Sequence, residues 1–152
     1  MSYPEMRSIV PHDGEMVFLD HVVSADQENL CAELTIRPDS VFCDGSGVGS
    51  WVGIEYMAQA IAAHAGFLAQ QRGEEVKVGF LLGARRYLCA VPLFAVGSRM
   101  HVHVQHAMQG ENGLAAFECR IEDAASGERL ASATITVFEP HNVHDFLQRS
   151  FT

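Results

Sequence analysis

Over residues 29–37 apolar and polar side chains alternate, with Leu30, Ala32, Leu34 and Ile36 set between polar neighbours. A period of two predicts a half-buried strand. Residues 15–23 mix apolar and polar positions as tightly and predict a strand before it. Residues 38–50, rich in Gly, Asp and Ser, predict a loop that ends at Ser50 as the N-cap of a helix. From Trp51 to about Gln71 the chain is mostly Ala, Met, Ile, Leu and Gln, good helix formers, and Gly73 is placed to stop the helix. Strand-like runs follow at residues 100–108, 114–121 and 130–138, separated by Gly110-Glu111-Asn112-Gly113 and Ala125-Ser126-Gly127. Two strands, a long helix apolar on nearly all sides and then three or four strands predict an α+β fold in which a curved antiparallel sheet wraps the helix. No repeat or linker interrupts it, so residues 1–152 are expected to form a single domain.

Composition narrows the function classes. With 48% hydrophobic residues in 152, one core is enough and a subunit interface is permitted. A net charge of −9 and the lack of a basic block argue against nucleic acid, whose binding requires clustered Lys and Arg. The start has no apolar signal region, and the longest apolar stretch is interrupted by Glu55, Gln59 and His64, so neither secretion nor membrane insertion is expected. Four separated cysteines, Cys31, Cys43, Cys89 and Cys119, form no zinc or redox motif, and reduced, mostly buried thiols in the cytoplasm fit them best. No cofactor motif is present.

Glu55 is the anomaly. It is the single acidic residue between Asp44 and Glu74, among Trp51, Ile54, Met57, Ala58, Ile61 and Ala62. Burial without a partner would favour the neutral acid and make the group a general acid. Gln59, one turn later, can hydrogen-bond or orient it, and Ala62, Ala63 and Gly66 continue that face with little bulk, leaving room for an acyl chain. The alternative is a carboxylate that reaches solvent at the helix start, favoured by the helix dipole. Backbone N–H groups around Ser50, Trp51 and Val52, after the glycines at 45, 47 and 49, could polarise a thioester carbonyl.

Other polar residues give weaker signals. His101 and His103 share one face of a strand, but no acidic or cysteine ligand sits at matching parity nearby, so a solvated or interface face is expected and no metal site. His64 projects from nearly the opposite helix face to Glu55 and is expected to be structural. Arg85 and Arg86 fit either a phosphopantetheine phosphate and an acidic carrier protein or a solvated strand end. The segment 141–152, with Phe146, Leu147 and Phe151, could cap the fold or pack on a neighbour.

Pro11-His12, the run Met16-Val17-Phe18-Leu19-Asp20 and Gly53-Ile54-Glu55-Tyr56-Met57-Ala58-Gln59-Ala60 together resemble the 3-hydroxyacyl-acyl-carrier-protein dehydratases. The form Glu-Tyr-Met-Ala-Gln-Ala-Ile-Ala-x-His is more similar to a branch associated with aryl polyene gene clusters than to the housekeeping enzymes. The resemblance implies a hotdog fold, a homodimer or higher oligomer of dimers, and elimination of water from an acyl carrier protein or coenzyme A thioester. It makes Glu55 the acid and places Pro11, Phe80 and Arg85 with Gln59 along the substrate path. The family's His-Phe-Pro-Gly loop is here Phe42-Cys43-Asp44-Gly45, without the imidazole. His12 is the first candidate for a relocated base and His64 the second, the alternative for His12 being a buried, hydrogen-bonded imidazole that ties strand to helix. An acyl thioesterase, or a hotdog subunit that binds acyl chains or partners an active homologue, are the other readings of the same fold.

Overall fold

The computed structural model describes residues 3–74 and 80–138, apart from the side chains of residues 80–82 and 111. The expected contributions of the Phe80 side chain and of residues 141–152 therefore lie outside the described residues.

The alternating runs form strands as predicted. β1 (His21–Ala25) and β2 (Asn29–Thr35) precede the helix, and β4 (Phe80–Cys89), β6 (Arg99–Gln109), β7 (Leu114–Asp123) and β8 (Arg129–Phe138) follow it. These six make one antiparallel sheet in the order β1-β2-β6-β7-β8-β4. One pleat face carries Leu30, Ala32, Leu34, Met100, Val102 and Ile121, all essentially inaccessible. Against it lies α2 (Gly53–Gln71), which contributes Met57, Ala60 and Ile61 to the same core. Burying each of the larger side chains contributes about 1.5–3 kcal/mol. Register shifts in β1, β4, β6 and β7 mark irregularities of the kind that bend a sheet around a helix.

Three local expectations are corrected. Residues 14–16 form a 3₁₀ turn, not strand, because Gly14 adopts φ +57° and Asp13 caps its N–H; the ladder begins only at His21. Ser50 does not cap the helix. It opens a 3₁₀ turn, Ser50–Val52, its own N–H donating to Pro92 O at 3.1 Å, and α2 starts at Gly53. The glycine loop also contains a short strand, β3 (Gly47–Gly49), paired with β5 (Leu93–Ala95). A Cβ at Gly47 would overlap the Phe94 carbonyl, so the glycine is there for close strand approach, a need that leaves no hydrophobic period to read.

The helix ends as expected, with Gly73 at φ +69° and the Glu74 N–H donating to Ala69 O. Its surroundings are less even than an all-apolar helix suggests. One side packs on the sheet, a second lies under the N-terminal segment, and Ile54, Ala58, Ala62, Ala65 and Leu68 form a half-exposed stripe. Among the described residues no helix is long and apolar enough to cross a membrane. The four cysteines are free, two buried and two half-buried.

Candidate functional site

Two anchors lay the N-terminal segment along α2. The first is Gly66, where the missing side chain admits the Ile9 backbone at the end of α1 (Met6–Ile9); a Cβ there would overlap the Ile9 carbonyl. The second is Gln59, whose side chain is 1% exposed. Its Oε1 accepts from the Phe18 and Leu19 N–H groups at 2.7 and 3.0 Å, and its Nε2 donates to Met16 O at 2.7 Å. Pro11 and His12 lie on the chain between these anchors.

His12 is held near Glu55 in this way. Burial lowers its pKa from the ordinary value of 6.5, while the Glu55 charge acts on the imidazole in the opposite direction. His12 Nδ1 is inaccessible and has no hydrogen-bond partner among the described residues. A buried ring nitrogen without a partner is uncommon in a merely structural histidine. His64 makes the contrast: 2% exposed, its Nε2–H donates to Asp26 O at 2.9 Å and its ring meets the Phe117 edge, the structural role expected of it.

Glu55 differs from expectation. In the isolated chain its side chain is exposed in the first turn of α2, where the helix dipole favours negative charge. Nor does Gln59 orient it, since all three of its hydrogen bonds go to the 16–19 backbone. Ala63 and Gly66 are buried beneath the N-terminal segment, so that helix face offers no room for an acyl chain. The clefts of about 410 and 230 Å³ elsewhere on the chain are lined by neither Glu55 nor His12.

Aromatic side chains bridge the core and the surface beside Glu55. Phe94 meets Tyr56, Tyr56 meets Phe18, Phe18 meets Phe42, and Phe42 meets Trp51, with ring centroids 5.4–6.2 Å apart. At the outer end Trp51 and Phe42 are 61% and 48% exposed, and Phe42 adopts φ +69°. The two rings form an exposed apolar patch beside Glu55. Tyr87 donates to the Ser50 carbonyl and so fixes the turn before α2. Sequence reasoning gave no role to Phe42, Tyr56 or Tyr87; the first two flank the glycine loop in an aromatic-rich stretch, while Tyr87 comes from β4 and has no local signal.

The remaining predicted positions are scattered. The Ser50 N–H is already bonded to Pro92 and is not free for a thioester, which leaves Trp51 and Val52 of the expected group. Pro11 is exposed. Arg85 is exposed on β4, paired with Thr134 just before the shift in register where Arg86 takes φ +54°. β4 is an edge of the sheet, and Leu88 on it is 67% exposed. On the outer sheet face the expectation of no ligands beside His101 and His103 is overturned: β2 sets Glu33 opposite His101 and Cys31 opposite His103. Parity along one strand cannot reveal partners supplied by the next.

A long helix cradled by a curved six-stranded sheet, with a carboxylate in the first turn of the helix, defines an α+β hotdog protein. Solved structures agree. A chain of the dehydratase heterocomplex ApeI:P from Xenorhabdus doucetiae aligns over 99% of both chains, with 28% identity and a TM-score of 0.88. Zebra fish thioesterase superfamily member 2 aligns over 89% of this chain and 92% of its own, with 14% identity and a TM-score of 0.67. A hypothetical thioesterase from Streptococcus pneumoniae, solved with coenzyme A, aligns over 78% and 84%, with 11% identity and a TM-score of 0.61; these last two speak to the fold alone. No curated protein sequence is matched. The family model of the ApeP-like proteins, described as ApeP dehydratase, matches residues 4–148, and the chain belongs to that dehydratase family.

Proposed function

We propose that this chain, within an assembly of hotdog subunits in polyene biosynthesis, removes water from a 3-hydroxyacyl thioester carried by an acyl carrier protein or coenzyme A. The observation that carries the reading is that His12 lies within the electrostatic reach of Glu55, with its buried Nδ1 unpartnered among the described residues. His12 takes the proton from C2, Glu55 gives its proton to the departing 3-hydroxyl, and water leaves as the C2–C3 double bond forms. Backbone N–H groups of Trp51 and Val52 stabilise the enolate oxygen. In this reading a second subunit laid over Trp51 and Phe42, which the isolated chain leaves in water, excludes water from around Glu55. The related ApeI:P structure is a heterocomplex, and a partner of that kind is proposed here rather than an obligatory homodimer. Residues 1–152 act as one domain in this reading.

The test is incubation with 3-hydroxyacyl carrier protein, for the chain alone and after coexpression with a second hotdog subunit, read by mass spectrometry. Loss of water is expected. Release of free acid would make the protein a thioesterase, and an unchanged substrate with both preparations would leave it a binding subunit.

The pH profile tests the base. Burial disfavours the imidazolium, so His12 stays neutral, and able to accept a proton, to pH values below 6.5. The acid limb of kcat/KM is therefore expected below 6.5, with full activity above it as far as His12 is concerned. His12→Ala should lower kcat by roughly 10²–10⁴-fold and remove that limb. A limb unchanged in the variant excludes His12 as the base.

A further inference from the structure

On the sheet face turned away from α2, β2 and β6 bring three side chains with metal-binding atoms together. Cys31 is opposite His103 in the ladder, with Sγ 3.7 Å from His103 Nε2. One ligand atom from each of Cys31, His101 and His103 falls within 4.8 Å of the other two. Around a tetrahedral zinc ion, with bonds of about 2.3 Å to sulfur and 2.0 Å to nitrogen, a sulfur and a nitrogen lie about 3.5 Å apart. The observed spacing needs little adjustment. We propose that Cys31, His101 and His103 form a binding site for a thiophilic divalent cation of the zinc class, separate from Glu55 and His12.

The chemistry around the cluster supports the assignment. The His103 Nε2 that faces Cys31 also lies 3.3 Å from Glu122, and His101 Nε2 lies 3.0 Å from Glu33, so a carboxylate borders each imidazole and adds negative charge that favours a cation there. The nearby cations are already engaged: Arg120 binds Glu122 at 2.6 Å and Arg99 lies 3.7 Å from Glu33, where His21 also approaches. Both ligand imidazoles are about a quarter exposed, so an ion can reach them, whereas Cys31 is 5% exposed and sheltered from oxidants. Three protein ligands leave one coordination position for water. A thiolate with two imidazoles selects zinc, cobalt or copper over magnesium and calcium.

The full chain, stripped with a chelator, is titrated with cobalt(II) and followed by visible and near-ultraviolet absorption, then with zinc in competition. One cobalt per chain is expected, with intense tetrahedral bands, a thiolate charge-transfer band, and full displacement by zinc. Glu33→Gln should weaken binding by roughly 10-fold through loss of a negative charge beside the ion, and His101→Ala or His103→Ala by more, each losing a ligand. Cys31→Ser should abolish the charge-transfer band; circular dichroism establishes that it folds, and if it does not, the two partly exposed histidines carry the test. His106→Asn, a residue on the same strand that bonds Gln109 instead, should leave binding unchanged. Binding below one equivalent, a spectrum without the thiolate band, or equal weakening by His106→Asn overturns the site.

Discussion

Glu55→Gln is expected to lower the dehydration rate of the assembled enzyme by at least roughly 10²–10⁴-fold, the usual contribution of a positioned acid. The substitution is nearly isosteric, and among the described residues Glu55 has no hydrogen bond or ion pair to lose. What it does lose is the favourable placement of a charge in the first turn of α2, about 0.3–1 kcal/mol at an exposed site. The unfolding transition should therefore barely move while turnover collapses. Rates with matched amounts of the parent enzyme and the Glu55→Gln variant, alongside thermal unfolding, separate the two effects. Retained turnover would remove Glu55 from the reaction, and the family placement would then describe a subunit that supports catalysis elsewhere.

Gln59→Leu is expected to do the reverse, with its main effect on stability. Leucine fills a similar volume but leaves the Phe18 and Leu19 N–H groups and the Met16 carbonyl unpaired in a buried site. At about 1–3 kcal/mol for each of the three orphaned groups, the loss is roughly 3–9 kcal/mol, a large share of a small domain's stability. Gln59→Glu keeps the acceptor for Phe18 and Leu19 but cannot donate to Met16 when ionised, and it buries a charge in a site that is 1% exposed. It too should destabilise. Urea unfolding measures both. A Gln59→Leu protein as stable as the parent would mean that the 16–19 segment is held by its apolar contacts, chiefly Leu19, rather than by the amide. Because the same clamp bounds the stretch that carries His12, the folded fraction of Gln59→Leu should also lose turnover.

The placement of Gln59 explains one misreading. A spacing of four from Glu55 puts the two on one helix face, and helix geometry alone suggests that they interact. The fold instead lays residues 9–19 over that face, and the backbone groups of Met16, Phe18 and Leu19 compete successfully for the amide. The same covering strip explains why residues 15–23 do not form one strand: the N–H groups at 18 and 19 are satisfied by a side chain instead of a neighbouring strand. In the single chain Glu55 is exposed, the alternative that the sequence left open, for a related reason. Apolar neighbours along a helix do not reveal which side a partner covers, and here the stripe with Ile54, Ala58 and Ala62 stays half open in the single chain.

The long helix, its stop at Gly73, the alternating strands β2, β6, β7 and β8, and Glu55 as the carboxylate of interest are all legible in the order of the residues. Those features depend on periodicity, propensity and composition, which are local properties of the chain. It takes the folded chain to bring His12 within reach of the Glu55 charge, to fix that stretch through Gln59 and Gly66, and to make Cys31, His101 and His103 converge. Each of these joins parts of the chain that are far apart in sequence, and no local pattern encodes which strand becomes whose neighbour or which face a returning segment will cover.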